Sequence, residues 1–180
     1  MEPEPKGDPT TPNPSPTPDP APTPEPDAAA AGKPDAVKRF VAQLIDGLIA
    51  GGVFVALIVG TGFSTLGYLL GLLLAGGYFL VRDGLDVDFM KQRSLGKKVM
   101  KLRPVRLDGK PMDLETSIKR NWMFGASYFG SLPLLGFLGS LIGLAVGVVI
   151  LYECYKVLTD KGGRRWGDEL AGTQVIKSDN

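Results

Sequence analysis

Hydrophobic residues are gathered into three apolar blocks, which charged stretches separate from one another. The first two blocks, at 41–60 and 65–81, are each close to the roughly 20 residues that an α-helix needs to cross a bilayer. The link between them, Thr61-Gly62-Phe63-Ser64, has the composition of a tight turn. We therefore predict an antiparallel helical hairpin with helices over about 39–60 and 64–82.

The third apolar block, at 122–155, is too long for one crossing. A single straight helix over it would measure about 50 Å, against roughly 30 Å of hydrocarbon. Pro133 interrupts its first half, and basic residues flank both of its ends. Basic flanks on both sides favour two passes with both ends in the cytoplasm, so we predict helices over about 118–135 and 139–157. The alternative is three crossings, with one long kinked helix in this block.

The polar segment 83–117 is rich in Lys and Arg, which predicts a cytoplasmic loop and places both termini in the cytoplasm. Within this loop, 102–107 indicates a short strand, 108–111 a turn and 112–114 a second extended piece. The tail 160–180 is predicted to be partly helical or extended along the membrane surface. The predicted fold class is an all-α membrane protein, a small polytopic bundle of about four transmembrane helices over 36–177.

Residues 1–35 contain twelve of the fifteen prolines and several acidic residues. Such a segment buries too little apolar surface to offset its ordering entropy, so we predict a disordered tail with polyproline II character. It is interpreted as a spacer, with a binding arm for a protein partner as the alternative.

The chain has no histidine and a single cysteine, Cys154. This composition excludes an intrachain disulfide, Cys-rich metal sites and catalysis by Ser-His or Cys-His pairs. We predict a protein that is not an enzyme and that uses no cofactor and no metal. Basic residues are interleaved with acids beside the apolar blocks, which argues against nucleic acid as a partner and for the lipid bilayer. A homo-oligomer is expected, because four short helices enclose little volume.

Asp46 is the only charged residue in 41–60. A carboxylate near the middle of a crossing costs roughly 2.5–3.5 kcal/mol even on the lenient insertion scale. Small residues at 42 and 50 share its helix face, so Asp46 is expected to point at another helix. Its candidate partners are Arg39, Gln43 and Arg120. The carboxylate is interpreted as handling a proton or cation, or as half of a structural ion pair.

Several short stretches resemble motifs of the RDD family of membrane proteins, named for one Arg and two Asp residues. The opening Arg39–Asp46 is similar to the family's R-x-x-A-x-x-I-D, and 168–173 is similar to its closing D-x-x-A-G-T. Weaker similarities lie between them: Ser94-Leu95-Gly96-Lys97, Asp108-Gly109-Lys110-Pro111 and Arg120-Asn121. The family often has His before the closing Asp, where this chain has Gly167.

The resemblance, which covers about 37–177, implies an integral protein of the bacterial inner membrane. It marks Arg39, Asp46 and Asp168 as the residues of interest. Some members of the family are linked to transport, including cation/proton exchange, so a small-solute or cation/proton transporter is one functional expectation. A non-catalytic scaffold or accessory subunit, whose N-terminal tail recruits a partner, is the alternative. Asp168 is expected to approach Arg39, or else to cap a short helix over 168–172.

Overall fold

A computed structural model describes residues 33–178. Within that range the fold is mostly helical, and its four long helices pack against one another in chain order. They are α1 (Ala36–Gly60), α2 (Thr65–Val81), α4 (Leu114–Gly130) and α5 (Gly136–Thr159). The shorter elements are α3 (Leu95–Val99), α6 (Trp166–Leu170), β1 (Leu102–Arg106) and β2 (Thr173–Lys177).

The predicted N-terminal tail lies outside the described residues except for 33–35, and these three residues are already part of the fold. The ammonium of Lys33 donates to the carbonyl oxygens of Leu158 and Asp160 at 2.9 and 3.0 Å. Pro34 is fully buried, and the Asp35 side chain caps the start of α1 by accepting from the N–H of Val37 at 2.8 Å. The folded domain therefore begins before residue 36.

The strand predicted over 102–107 is present as β1, whereas the extended piece predicted over 112–114 is present only in part. β1 pairs antiparallel with β2, with Leu102 opposite Lys177 and Arg106 opposite Thr173. Asp113 has an extended backbone, but its side chain caps α4 through the N–H of Thr116 at 2.7 Å, so the chain is already helical at Leu114. The protein is thus not purely α-helical: the described residues contain a two-stranded sheet whose second strand comes from the C-terminal tail.

The long apolar block forms two antiparallel helices rather than one kinked helix. A 3-10 turn at Pro133–Leu135 and a positive φ of 46° at Gly136 separate α4 from α5. α4 begins about one turn earlier than predicted because of the Asp113 cap, and it ends at Gly130. α5 extends slightly beyond its predicted bounds at both ends.

Two helical hairpins, α1–α2 and α4–α5, stand side by side with their turns at the same end. The hydroxyl of Tyr68, near the start of α2, donates to the carbonyl oxygen of Ser131 beyond α4 at 2.7 Å. The opposite end carries residues 82–113 and 160–178, which we call the cap. The N-termini of α1 and α4 and the C-termini of α2 and α5 therefore lie at the cap.

Two helical segments of the described chain, Ala36–Gly60 and Pro133–Thr159, are long and apolar enough to cross a membrane. Only 17% and 11% of their most apolar windows are buried in the fold. Helices of a soluble core would be covered, so these exposed apolar surfaces are typical of membrane-facing helices. α2, with 17 residues, is apolar but shorter.

Close helix packing rests on the small residues of α2. A Cβ on Gly71 would lie 2.6 Å from the ring of Phe54 in α1, which leaves no room for a side chain. Ala50 and Ala75 are buried in the same interface together with Phe79. The glycines of α5 behave differently: Gly139 packs tightly against α4, whereas Gly143 and Gly147 face open space.

Candidate functional site

Asp46 lies at the centre of a buried charge cluster where the cap meets the helices. Its side chain is 1% exposed, on the α1 face that also buries Ala42 and Ala50. The carboxylate accepts three hydrogen bonds, from the hydroxyl of Tyr78 (2.8 Å), from Nη1 of Arg82 (2.9 Å) and from the backbone N–H of Gly96 (2.8 Å). Both oxygens are therefore engaged by donors from α2 and from the cap.

The contact with Gly96 requires a glycine. α3 lies so close to α1 that a Cβ on Gly96 would overlap the carbonyl oxygen of Ala42. Ser94 begins α3 by accepting from the N–H of Lys97 at 3.3 Å, and this fixes the direction of the short helix. The Ser94–Lys97 motif thus places a backbone donor against the Asp46 carboxylate.

Arg82, rather than Arg39 or Arg120, is the ionic partner of Asp46. Its guanidinium spans two acceptors of α1, Asp46 through Nη1 and Gln43 through Nη2 at 2.8 Å. The same group lies over the ring of Phe79, 4.6 Å from the centroid. Arg82 directly follows α2 and can reach Asp46 from the side, whereas Arg39 lies almost two turns before Asp46 and points into the cap.

Arg39 pairs with Asp168, so the first and last motif residues meet in space. Nη2 of Arg39 lies 2.8 Å from Oδ2 of Asp168, and Nη1 donates to the carbonyl oxygen of Gly163. Asp168 also accepts from the backbone N–H of Arg165 at 3.1 Å, which caps α6. The expected pairing with Arg39 is present, whereas the expected cap differs: the short helix is Trp166–Leu170 rather than 168–172, and Asp168 binds the N–H of Arg165 from the third position inside it. Nε of Arg120 lies 2.8 Å from its other oxygen.

Asp83 is a second buried carboxylate that the sequence motifs did not single out. It is fully buried and accepts from the Lys97 ammonium at 2.7 and 2.9 Å and from the side-chain amide of Asn121 at 3.1 Å. It therefore joins the end of α2 to α3 and to α4. In the sequence, Arg82 and Asp83 resemble charges that simply end an apolar helix. Only the short distance along the chain to the Ser94–Lys97 motif indicates that Asp83 could have a buried partner.

The two cap carboxylates, Asp83 and Asp168, are held in their charged forms. Burial alone would raise the pKa of Asp83, but Lys97, Arg120 and Arg82 outweigh it and hold that pKa well below its usual range. Burial opposes the charge on Asp168 in the same way. Arg120, Arg165 and Arg39 nevertheless keep its pKa well below the usual value.

Glu153, near the end of α5, belongs to the same cluster and is 3% exposed. Its Oε1 accepts from the N–H of Gly167 at 2.8 Å. Its Oε2 lies 3.7 Å from Nε of Arg165 and has no hydrogen-bond partner among the described residues. A Cβ at Gly167 would overlap the carbonyl oxygen of Arg120, so no side chain fits at this position.

The described part of the cluster combines five basic side chains with four carboxylates. The basic groups are Arg39, Arg82, Lys97, Arg120 and Arg165, and the carboxylates are Asp46, Asp83, Glu153 and Asp168. Buried pairs of this kind are close to neutral for stability when complete. They cost about 3–5 kcal/mol when one partner is removed. The arrangement can therefore hold the cap on the helices, because Asp46, Asp83 and Asp168 are each bound from more than one element.

Beside the cluster, α1 and α5 enclose a cavity of about 360 Å³. Its walls combine apolar side chains of both helices with charged groups of the cluster, Arg39, Asp46, Lys97, Arg120, Glu153 and Arg165. Among residues 33–178, no three His, Cys, Asp or Glu side chains are grouped as a metal site would require.

A comparison with known protein families matches most of the chain. The model of the RDD family matches residues 33–172, which include Arg39, Asp46 and Asp168. No curated protein and no solved structure matches the chain. The family match spans most of the chain and includes the two long apolar helical segments, so the chain belongs to the RDD family of membrane proteins.

Proposed function

We propose that this RDD-family protein crosses the bacterial inner membrane four times, with its cap and both termini in the cytoplasm, and acts as a non-catalytic scaffold or accessory subunit. In this proposal the Arg–Asp–Asp residues hold the cap on the helices, and the N-terminal tail recruits a partner.

Two features support the four crossings and their orientation. The turns of both hairpins lie at one end, where Tyr68 and Ser131 are hydrogen bonded, so all four helices extend in the same direction from the cap. The cap also contains the Lys- and Arg-rich loop, which the positive-inside rule assigns to the cytoplasm.

The observation that carries the scaffold proposal is the full occupation of the Asp46 carboxylate. A carboxylate that binds and releases a proton or cation needs a free oxygen and access to water. Here one oxygen accepts from Tyr78 and Gly96 and the other from Arg82, and the side chain is 1% exposed. Such a group is better suited to joining structural elements than to exchange.

Purified full-length protein, reconstituted in liposomes with an imposed pH gradient, tests this proposal. The scaffold role predicts that Na⁺, K⁺ and H⁺ fluxes equal those of protein-free liposomes, for the wild type and for Asp46→Asn alike. The partner role predicts a cross-linked partner protein in the native membrane that is lost when residues 1–32 are deleted. Flux that depends on Asp46 would contradict the scaffold role.

A transporter is the second candidate, and the cavity beside the cluster is the observation in its favour. The residue Glu153 lines that cavity, and one of its buried carboxylate oxygens has no hydrogen-bond partner among the described residues. The same liposome assay separates the two candidates. A transporter that uses this cavity predicts ion or solute flux that Glu153→Gln abolishes.

A further inference from the structure

The outer face of α4 carries an exposed ion pair at a height where the outer face of α1 is apolar. The ammonium of Lys119 donates to Oε1 of Glu115 at 2.6 Å, and the two side chains are 59% and 76% exposed. On α1, the outward side chains at this height are those of Leu44 and Leu48, which are 51% and 68% exposed. Two faces of one fold therefore present charge and apolar surface at the same level.

Hydrogen bonds fix these heights relative to each other. Ser117, which lies between the two charged residues of α4, donates to the carbonyl oxygen of Leu80 in the last turn of α2 at 2.7 Å. Arg82, two residues further along, binds Asp46 at 2.9 Å. The ion pair of α4 is therefore level with Asp46, which itself lies between the two exposed leucines of α1.

The apolar outer surface is taller at α1 and α5 than at α4, by about 10 Å or more at the helical rise per residue. On α1, exposed apolar side chains recur over 40–59, about 29 Å, which is close to the roughly 30 Å of hydrocarbon in a bilayer. On α5 they recur over 137–155, about 27 Å. On α4 the apolar surface stops at Lys119, which leaves about 17 Å up to the end of the helix at Gly130. α2, with 17 residues and about 25 Å, is intermediate.

Aromatic side chains mark the edge of the short apolar surface on α4. Trp122 is exposed and lies three residues from Lys119, on the side of the turns. It packs edge to face against Trp166 of the cap, with 6.1 Å between the ring centroids. Tryptophan is enriched at the headgroup level of membrane proteins. On this side of the fold, the cap and a headgroup-type side chain thus reach further toward the turns than they do at α1.

Sliding the molecule along the membrane normal does not remove this difference in height. Moving the ion pair out to the headgroups of a flat bilayer would also lift Phe40 and Leu44 of α1 out of the hydrocarbon, although both are exposed. Leaving α1 in place would instead keep two charged side chains in the hydrocarbon, which is costly. A bilayer that becomes thinner beside a short apolar surface avoids both, at a modest cost per Å.

We propose that the face of α4 with the adjoining end of α2 docks lipid headgroups of the cytoplasmic leaflet at the height of Asp46, so that the bilayer is thinned on this side. Headgroups and their water solvate Lys119 and Glu115, and Trp122 lies at the boundary with the acyl chains. At α1 and α5 the bilayer keeps its full thickness. The proposal rests on the four crossings proposed above and is independent of whether the protein is a scaffold or a transporter.

A pair of matched positions tests the difference in depth. Ile118 of α4 and Leu48 of α1 are both exposed, and each lies twelve residues before the last residue of its helix. Ile118→Cys and Leu48→Cys are made separately in full-length protein with Cys154→Ala, which removes the single native cysteine and leaves the ion pair intact. Each thiol is labelled with bimane in detergent, and the protein is reconstituted in vesicles of oleoyl phosphatidylcholine and phosphatidylglycerol. Quenching is measured with lipids spin-labelled on the headgroup or in the middle of the acyl chain, and with iodide in the water.

At position 118 the headgroup label is expected to quench about threefold or more strongly than the chain label, and at position 48 the order is reversed, because the two positions differ by about 10 Å in their depth below the local headgroups. Leu73→Cys on α2, exposed and eight residues from the start of that helix, serves as the reference for the bilayer interior. It is expected to be quenched mainly by the chain label.

Three outcomes would overturn the proposal. The same ratio of headgroup to chain quenching at positions 118 and 48, with position 73 quenched by the chain label, would show a flat bilayer and would leave the four crossings intact. Quenching of positions 118 and 73 by iodide and by neither lipid would show that α2 and α4 lie outside the bilayer, which contradicts the crossings as well. Protection of position 118 from all three quenchers would assign this face to a second copy of the chain.

Discussion

The backbone N–H of Gly96 donates to the Asp46 carboxylate at 2.8 Å, and this bond ties the cap to α1. The two residues depend on each other. The carboxylate needs a buried donor on the cap side, and the donor can approach only because position 96 has no side chain. The polar Ser94–Lys97 motif and the buried acid of α1 are thus two parts of one contact.

Gly96→Ala is expected to lower the free energy of unfolding by about 3 kcal/mol or more, because the added methyl group meets the Ala42 carbonyl oxygen and displaces the donor from Asp46. Unfolding in mixed SDS micelles measures the change. Gly52→Ala is the matched control, since a Cβ there meets nothing within 4 Å. Equal stability of the two variants would show that α3 does not pack against α1 in this way.

Arg82→Lys tests whether the shape of the guanidinium matters as well as its charge. The ammonium of lysine cannot bind Asp46 and Gln43 together as the two-pronged arginine does. We expect a loss of about 2 kcal/mol, measured by the same unfolding assay. Arg164→Lys, in a partly exposed and longer pair with Asp160 (3.7 Å), should change stability by no more than about 0.5 kcal/mol. An unfolding free energy of Arg82→Lys equal to that of the wild type would contradict the role of Arg82 as a bridge between Asp46 and Gln43.

Acid should weaken the cap. The pKa values of Asp83 and Asp168 are lowered in the folded protein, so their contribution to stability is complete above the unfolded-state pKa, about 3.9. It is lost as the pH falls through that value and on toward the folded-state pKa. The melting temperature of the wild type should therefore hold from pH 7 to about 5 and fall below it.

Asp83→Asn provides the check on this acid dependence. The variant should be less stable than the wild type at neutral pH. Its melting temperature should fall less on acidification, because it has no carboxylate to protonate at position 83. Glu115→Gln, at an exposed acid, should follow the wild-type curve. If the melting temperatures of the Asp83 variant and the wild type fall in parallel with pH, the charge of Asp83 does not stabilise the folded protein.

Some of this arrangement follows from local patterns in the sequence. Small residues at 42 and 50 beside Asp46 indicate a helix face in contact with protein, and that face is buried. The paired turns and apolar lengths indicate two hairpins, and both are present. The family motifs relate Arg39 to Asp168, which lie 2.8 Å apart.

The rest depends on contacts between distant parts of the chain. β1 pairs with a strand about seventy residues later, and no local pattern identifies that partner. Arg82 and Asp83 resemble charges that only end a helix, until α3 and α4 bring Lys97 and Asn121 against them. The donors to Asp46 therefore come from α2 and the cap, and not from α1 or α4, where the sequence offers Arg39, Gln43 and Arg120 as candidates.

The central claim is that the motif residues hold the cap on the helices, and a double-mutant cycle between Arg39 and Asp168 tests it most directly. The unfolding free energies of Arg39→Gln, Asp168→Asn and the double variant are measured against the wild type in mixed micelles. We predict single losses of about 3–5 kcal/mol and a coupling energy of about 2 kcal/mol. Additive losses, with a coupling below about 0.5 kcal/mol, would contradict the claim.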